Sequence, residues 1–397
     1  MFELEEVATP EPDTSSTVIK VVGVGGAGGN AVEHMIREGV GGVEFICCNT
    51  DAQALKKSSA HVKLQLGPGL GAGGKPEKAR ELAVLDRARI AEALTGAHMV
   101  FITAGMGGGT GTGAGPIVAE VARELGILTV AVVTKPFEYE GKRKRLAEEG
   151  VAELARHVDS LIIILNEKLE EVLGDEVSML EAFQAADNVL RNAVGGIAEI
   201  INVPGLVNVD FEDVRTVMGE MGKAMMGSAV AAGVDRARVA AEEAVASPLL
   251  EGIELSGARG VLVNITASTT LGLKEYKEVM NTIRQYTAPE ATVICGAVFD
   301  ETMEDQLRVT VVATGLGGVV AREAVKPRIS MVETVGLRTG TDNLPVYDAG
   351  ISQVQIDLSS VTSSARGSTP RNAQADAMAA SGVDKYDIPA FLRRQSD

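Results

Sequence analysis

Apolar residues in the first half of the chain gather into short continuous runs at 18–24, 43–48, 99–104, 128–134 and 160–165. Stretches with apolar positions three to four residues apart follow the first four, as at 31–38, 116–125 and 143–157. Continuous apolar strands separated by amphipathic helices predict a parallel sheet covered on both faces. Ligands of such sheets bind at the carboxyl ends of the strands, in the loops that lead into the helices. From 178 to about 202 the spacing of Met179, Leu180, Phe183, Ala186, Val189, Leu190, Val194, Ile197 and Ile201 predicts one long helix, which Pro204 and Gly205 stop. Strands are predicted again at 260–266, 291–298 and 308–314, with an amphipathic helix at 273–286. They describe a second α/β domain with a smaller sheet, joined to the first by the long helix.

Beyond 316 the periodicity fades. Residues 317–383 are rich in Ser, Thr, Ala, Gly and Asn and read as a flexible linker. The closing DKYDIPAFLRRQSD at 384–397 regains apolar side chains, a composition suited to a docking peptide at the end of a tether. A frayed terminus is the plain alternative.

Composition narrows the chemistry. Of 397 residues 45 are glycine, without a triplet period, so a collagen is excluded; a hydrophobic content of 45% excludes global disorder. The formal charge of −17 disfavours nucleic acid and direct docking on an anionic membrane. It falls wholly on 1–316, because 317–397 carries nine bases and nine acids. Three cysteines, two of them adjacent, and four histidines give neither a disulfide framework nor a metal site. With no secretory signal and no apolar run approaching the ~20 residues of a membrane span, a soluble cytoplasmic protein is expected.

The glycines have an address: 21 of the 45 fall between Gly23 and Gly115, in three clusters. Backbone free of side chains can approach a ligand closely, and the N–H groups of a following helix start form an anion site. GVGGAGGN after the first strand contains G-x-G-x-x-G, with Asp51 at the end of the next strand, a pattern that alone would indicate NAD. GPGLGAGGKPE matches G-x-x-x-x-G-K, but Pro76 stands where a P-loop needs a hydroxyl, and Pro76 instead opens a helix through 77–94. GMGGGTGTGAG joins the third strand to a helix; five glycines in GGGTGTG exceed what a tight turn needs and indicate phosphate binding.

GGGTGTG is the signature of the tubulin/FtsZ superfamily, and the chain resembles the bacterial FtsZ family of that superfamily from about 17 to 316, then again in the closing peptide. NTDAQAL, TKPFEYEG, NVDFEDVRTVM, SPLLE, SGARGVLVNIT and DIPAFLRRQ carry the same resemblance. It implies a flexible segment at 1–16, a Rossmann-like GTPase domain at 17–177, a central helix at 178–203, an α/β domain with the catalytic loop at 204–316, a linker at 317–383 and a partner-binding peptide at 384–397.

For the site it implies GTP, converted to GDP, contacted by Gly26, Ala27, Gly28, Gly29 and Asn30. Gly109, Thr110 and Gly111 would grip the phosphates, and Ala72 and Gly73 would sense the γ-phosphate. Gly74 and Lys75 replace the family's usual Ala-Asn, and Lys75 either attracts the triphosphate or points to solvent. Glu140 and Arg143 would hold the ribose, with Lys144 and Arg145 as fallbacks for the arginine. Phe183 would stack on guanine and Asp187 accept from its N1–H and amine; read from the sequence alone, these are core and surface. Asp210 and Asp213, assisted by Asn208, would act on the nucleotide of the next subunit, with Mg²⁺ held mainly by the nucleotide. The implied protein polymerises head to tail into the division ring and reaches the inner face of the membrane through an anchoring division protein such as FtsA. An NAD-dependent oxidoreductase would leave GGGTGTG, NVDFED and the tail unexplained; a non-hydrolysing scaffold would leave Asp210 and Asp213 without a role.

Overall fold

The computed structural model describes residues 17–174, 178–203, 207, 209–220, 222–247 and 257–316. In chain order the first elements are β1 (Ile19–Val24), α1 (Gly25–Arg37), β2 (Val43–Asn49), α2 (Ala52–Lys57), β3 (Val62–Gln65), α3 (Pro76–Leu85), α4 (Arg87–Leu94), β4 (Met99–Gly105), α5 (Thr110–Glu124), β5 (Leu128–Lys135), α6 (Gly141–Leu154), β6 (Ser160–Leu165) and α7 (Asn166–Leu173). Then follow α8 (Met179–Asn202), α9 (Phe211–Met218), β7 (Gly222–Ala232), α10 (Arg236–Val245), β8 (Gly260–Ala267), α11 (Leu273–Tyr286), β9 (Thr292–Phe299) and β10 (Gln306–Leu316).

The strands form one ten-stranded sheet in the order β3-β2-β1-β4-β5-β6-β7-β10-β8-β9. The first six are parallel in the doubly wound order 3-2-1-4-5-6. Alternate residues serve opposite faces. Val21, Phe101 and Val130 face α1 and α8, while Val22, Ile102 and Ala131 face the layer built from α3 to α6. The expected mixed α/β architecture is present, with one addition. β6 and β7 pair in parallel at Ser160↔Gly222, Leu161↔Lys223 and Ile162↔Ala224, so the second strand set continues the first sheet. Within that set β7, β10 and β8 are antiparallel, and β9 runs parallel to β8.

Several helices begin earlier than apolar spacing indicates. α1 starts inside the first glycine cluster and α5 inside GGGTGTG, where tertiary packing overrides glycine's poor propensity. The stretch 77–94 is two helices, separated at Asp86. α8 spans the expected length and opens on a capping box, in which Glu181 N–H donates to the Ser178 hydroxyl and Ser178 N–H to the Glu181 carboxylate. Leu190, Val194 and Ile197 of α8 share one core with Val130 of β5, Met226 of β7 and Leu262 of β8. The segment 1–16, Pro204, Gly205, the linker and the closing peptide lie outside the described residues. Among the described residues no helix is long and apolar enough to cross a membrane.

A charged clamp secures the second strand set. Arg236, which opens α10 and is 6% exposed, donates to both oxygens of Glu275 in α11 (2.6 and 3.1 Å), to the Asp305 carbonyl (2.8 Å) and to the Thr270 hydroxyl (3.2 Å). Replacing Glu275 with Ala leaves a buried guanidinium without its counter-charge and should cost about 3 kcal/mol, read as a shifted urea midpoint. Arg236 holds the Glu275 carboxyl below its ordinary value of 4.5. The clamp's contribution is therefore complete at neutral pH and fades as pH falls through the depressed value, so wild type and variant should converge in acid.

Candidate functional site

β1 and β4 lie side by side from Ile19↔Met99 to Val24↔Ala104, and at their carboxyl ends the chain turns directly into α1 and α5. This is where the strand order reverses, the crevice that doubly wound sheets use for ligands. Neither helix has a side-chain cap, and neither has an acid in its first turn. By contrast α2, α8 and α9 are capped by Asp51, Ser178 and Asp210. Two sets of uncommitted N–H groups, each with a helix dipole behind it, thus open at one point. Their first turns touch. Gly25 has φ +78°, and a Cβ there would sit 2.9 Å from the Gly111 nitrogen. Gly26 and Gly29 face open space, where a ligand can lie against the helix.

The other expected contacts gather round this point. A Cβ on Gly109 would come 3.0 Å from the Ala72 side chain and 3.1 Å from the Lys75 nitrogen, so the 72–75 loop borders the signature loop. Ala72 is buried, while Gly73 and Lys75 are exposed. Gly107 abuts the Arg143 backbone, which brings the start of α6 to the same place. Glu140 pairs with Arg143 and also accepts from Phe137 N–H at 3.2 Å. Lys144 and Arg145 pair with Glu138 and Glu149 instead, at 2.6 and 3.3 Å. Of the three bases, Arg143 is the one against the signature loop. A cleft of about 310 Å³ beside α1 is lined by Gly26, Gly29, Asn30, Asp51 and Gln53 among others.

On the α8 side Phe183 is 46% exposed, and its ring meets Phe137 edge-on at 6.3 Å. Phe137 in turn stacks on Tyr139 at 5.3 Å. One turn beyond Phe183, burial pushes the Asp187 carboxyl up to about 6, against the pull of His34 and Arg37 on α1. His34 bridges its neighbours, with Nε2 2.6 Å from the Asn188 amide oxygen and Nδ1 3.1 Å from an Arg37 nitrogen.

Asp210 and Asp213 are elsewhere. Asp210 caps α9 by accepting from Asp213 N–H at 2.8 Å, and both carboxylates are exposed. Phe211 between them meets His98 edge-on at 6.1 Å and carries the Arg215 guanidinium over its face at 5.6 Å. His98 immediately precedes β4, whose far end feeds the signature loop. The seven residues of β4 span about 23 Å, so α9 opens at the pole opposite the glycine loops. Asn208 lies outside the described residues.

Sequence reasoning missed Asn166, which follows β6 at the carboxyl edge of the sheet. It is 6% exposed, and its amide oxygen has no partner among the described residues. Apolar spacing carries no signal for such a residue. Among the described residues, no three His, Cys, Asp or Glu side chains are grouped to hold a metal ion.

Paired, uncapped helix starts at the switch point of a doubly wound sheet define an α/β protein that binds a polyphosphate. Comparison with known proteins is specific. The Tubulin/FtsZ family GTPase domain matches residues 18–174, and the FtsZ family C-terminal domain matches 222–317. The chain is 53% identical over 402 residues to the cell division protein FtsZ of Azotobacter vinelandii, covering all of both chains. It is 54% identical over 409 residues to that of Pseudomonas aeruginosa, again covering both in full. Among solved structures, an empty FtsZ dimer of M. jannaschii superposes with a TM-score of 0.73 at 41% identity, over 79% of this chain and 96% of that one. A GTPγS-bound protofilament of CetZ2 from Haloferax volcanii shares the fold with a TM-score of 0.66 at 21% identity, over 77% of this chain and 95% of that one. The chain belongs to the FtsZ family.

Asp187 offers a direct test of the packing between α8 and α1. Its folded value is raised from 3.8 to about 6, so the native state holds that proton more tightly than the unfolded chain. Stability of the nucleotide-free protein should therefore fall as pH rises through that window. Asp187→Asn should match wild type at pH 4 and exceed it by about 1 kcal/mol at pH 8, after discounting for partial exposure. Thermal unfolding at the two pH values checks this.

Proposed function

We propose that this chain is a GTP-hydrolysing cell-division protein that polymerises head to tail, each joint completing one active site. Membership of the FtsZ family supports the GTPase and the filament. One observation carries the finer reading: the phosphate loops and the exposed Asp210–Asp213 pair stand at opposite ends of a single sheet. A second copy stacked end to end brings the carboxylates of one chain to the loops of the other.

Gly26–Asn30 and Gly109–Gly111 hold the phosphates, chiefly through the N–H groups left free in the first turns of α1 and α5, with Ala72 and Gly73 at the γ-phosphate. Glu140 and Arg143 hold the ribose, and Phe183 offers its exposed face to the base. An ionised Asp187 accepts from the guanine N1–H and amine, a donor pair that adenine lacks. Asp210, Asp213 and Asn208 of the adjoining copy position and polarise the attacking water. Mg²⁺ would be held mainly by the nucleotide. Its chemistry is relief of charge on the transferred phosphoryl group. A nicotinamide oxidoreductase would leave the carboxylate pole without work.

Two further assignments rest on the sequence. The domain division follows the family boundaries, with the catalytic loop opening the second domain. Residues 384–397 dock on a membrane-anchoring division protein such as FtsA through Ile388, Phe391 and Leu392, which brings the filament to the inner face of the membrane at the division site.

GTP turnover per molecule should rise with protein concentration above a threshold, because a lone chain lacks the second pole. Asp213→Ala should lower turnover about a hundredfold or more while leaving GTP binding near wild type. Phosphate release and equilibrium binding measure the two, and loss of binding would place Asp213 in a different role. Deleting 384–397 should leave turnover and filament sedimentation intact and abolish recruitment to vesicles bearing the anchor protein. A collapse of turnover in that variant would count against a docking peptide.

A further inference from the structure

Residues 49–52, between β2 and α2, touch two of the phosphate-side loops at once. Their backbone is paired to 66–71: Leu66 N–H donates to the Asn49 carbonyl at 2.9 Å, Gly71 N–H to the Thr50 carbonyl at 2.8 Å, and Ala52 N–H to the Gly69 carbonyl at 3.0 Å. The Thr50 side chain reaches the other loop. Its hydroxyl lies 2.7 Å from the hydroxyl of Thr110, the first residue of α5. Thr50 is 1% exposed, so its hydroxyl is shielded from bulk water.

The direction of this hydroxyl pair is open until an anion arrives. An ionised phosphate oxygen is an acceptor, so a Thr110 hydroxyl that contacts it must donate its only proton. Thr110 can then only accept from Thr50, and Thr50 must donate. The geometry points to Thr50 as a positioning residue for nucleotide binding. It orients and polarises the Thr110 hydroxyl toward phosphate, and its carbonyl ties that grip to the 67–75 loop. The two-bond chain is cooperative, because each donation strengthens the next. This rests on the GTP-binding reading proposed above.

The test is equilibrium binding of GTPγS to the full chain, below the concentration of assembly, arranged as a double-mutant cycle. Thr50→Val keeps the shape and removes the donor; it should weaken GTPγS binding about three- to tenfold. Thr50→Ser keeps the donor and should restore binding. In a Thr110→Val background, Thr50→Val should cause no further loss, whereas a purely structural role would cause the same loss with or without the Thr110 hydroxyl. Additive losses, wild-type affinity in Thr50→Val, or a folded Thr50→Ser as weak as Thr50→Val would each overturn the inference. If Thr50→Val does not fold, Thr50→Ala takes its place in the cycle with the same criteria. A wild type that fails to bind GTPγS removes the GTP reading and this inference together; failure in the variants alone leaves the GTP reading standing.

Discussion

The phosphate pole depends on the contact between the first turns of α1 and α5. Adjacent parallel strands deliver these helices side by side at the reversal of strand order, so their positive dipole ends are forced together. Two ends of about half a unit charge each repel when nothing lies between them. A polyphosphate turns that repulsion into a binding site. Glycine follows from the geometry: at Gly25 the positive φ and the nearness of Gly111 leave no room for a Cβ, and any larger residue would part the two helix ends. The surplus of glycine in the sequence records how closely two backbones must meet here.

Sheet polarity sets the rest. Because β1 to β6 all run one way, every loop that follows one of these strands opens at the same end, and α9 is left at the other. α8 links the poles. Phe183 and Asp187 lie in its first half, while at its last residue the Asn202 amide donates to the Gly42 carbonyl (2.7 Å), just before β2 enters the sheet. Twenty-four residues of helix reach about 36 Å, from the end that bears Phe183 toward the segment that bears Asp210. On the proposed reading, the chain carries complementary halves of one site at its two ends and cannot bring them together alone. A copy translated along the same axis can, and the contact repeats without closing.

Much of this was legible in the sequence because the constraint fell on backbone. Apolar runs of β1, β2, β4, β5 and β6 were readable since both faces of the sheet are covered, and the glycine clusters marked the close approaches. Helix starts were misplaced where α1 and α5 begin within glycine, a residue that propensity counts against a helix. β7 escaped notice: KAMMGSAVAA is built from small residues with weak alternation, and its pairing partners β6 and β10 are distant in sequence. The joining of two strand sets into one sheet was hidden for the same reason. No local pattern identified Asp210 or Asp213 as more than a helix cap and its neighbour; the role proposed for them came from the family resemblance. Thr50 and Asn166 were invisible because a buried hydroxyl or amide declares itself only through what surrounds it.

The geometry of the site carries a cost to stability. Two helix ends of like sign are held together, and the Asp187 carboxyl is half-buried, its burial opposing ionisation. Each cost is one that a guanine nucleotide would relieve, the first by its phosphates and the second by the donors of its base. Ligand binding and folding are then linked: whatever binds the native chain alone stabilises it in proportion to its occupancy. Relief of these costs adds to the free energy of binding, so nucleotide affinity and the stability of the chain rise together.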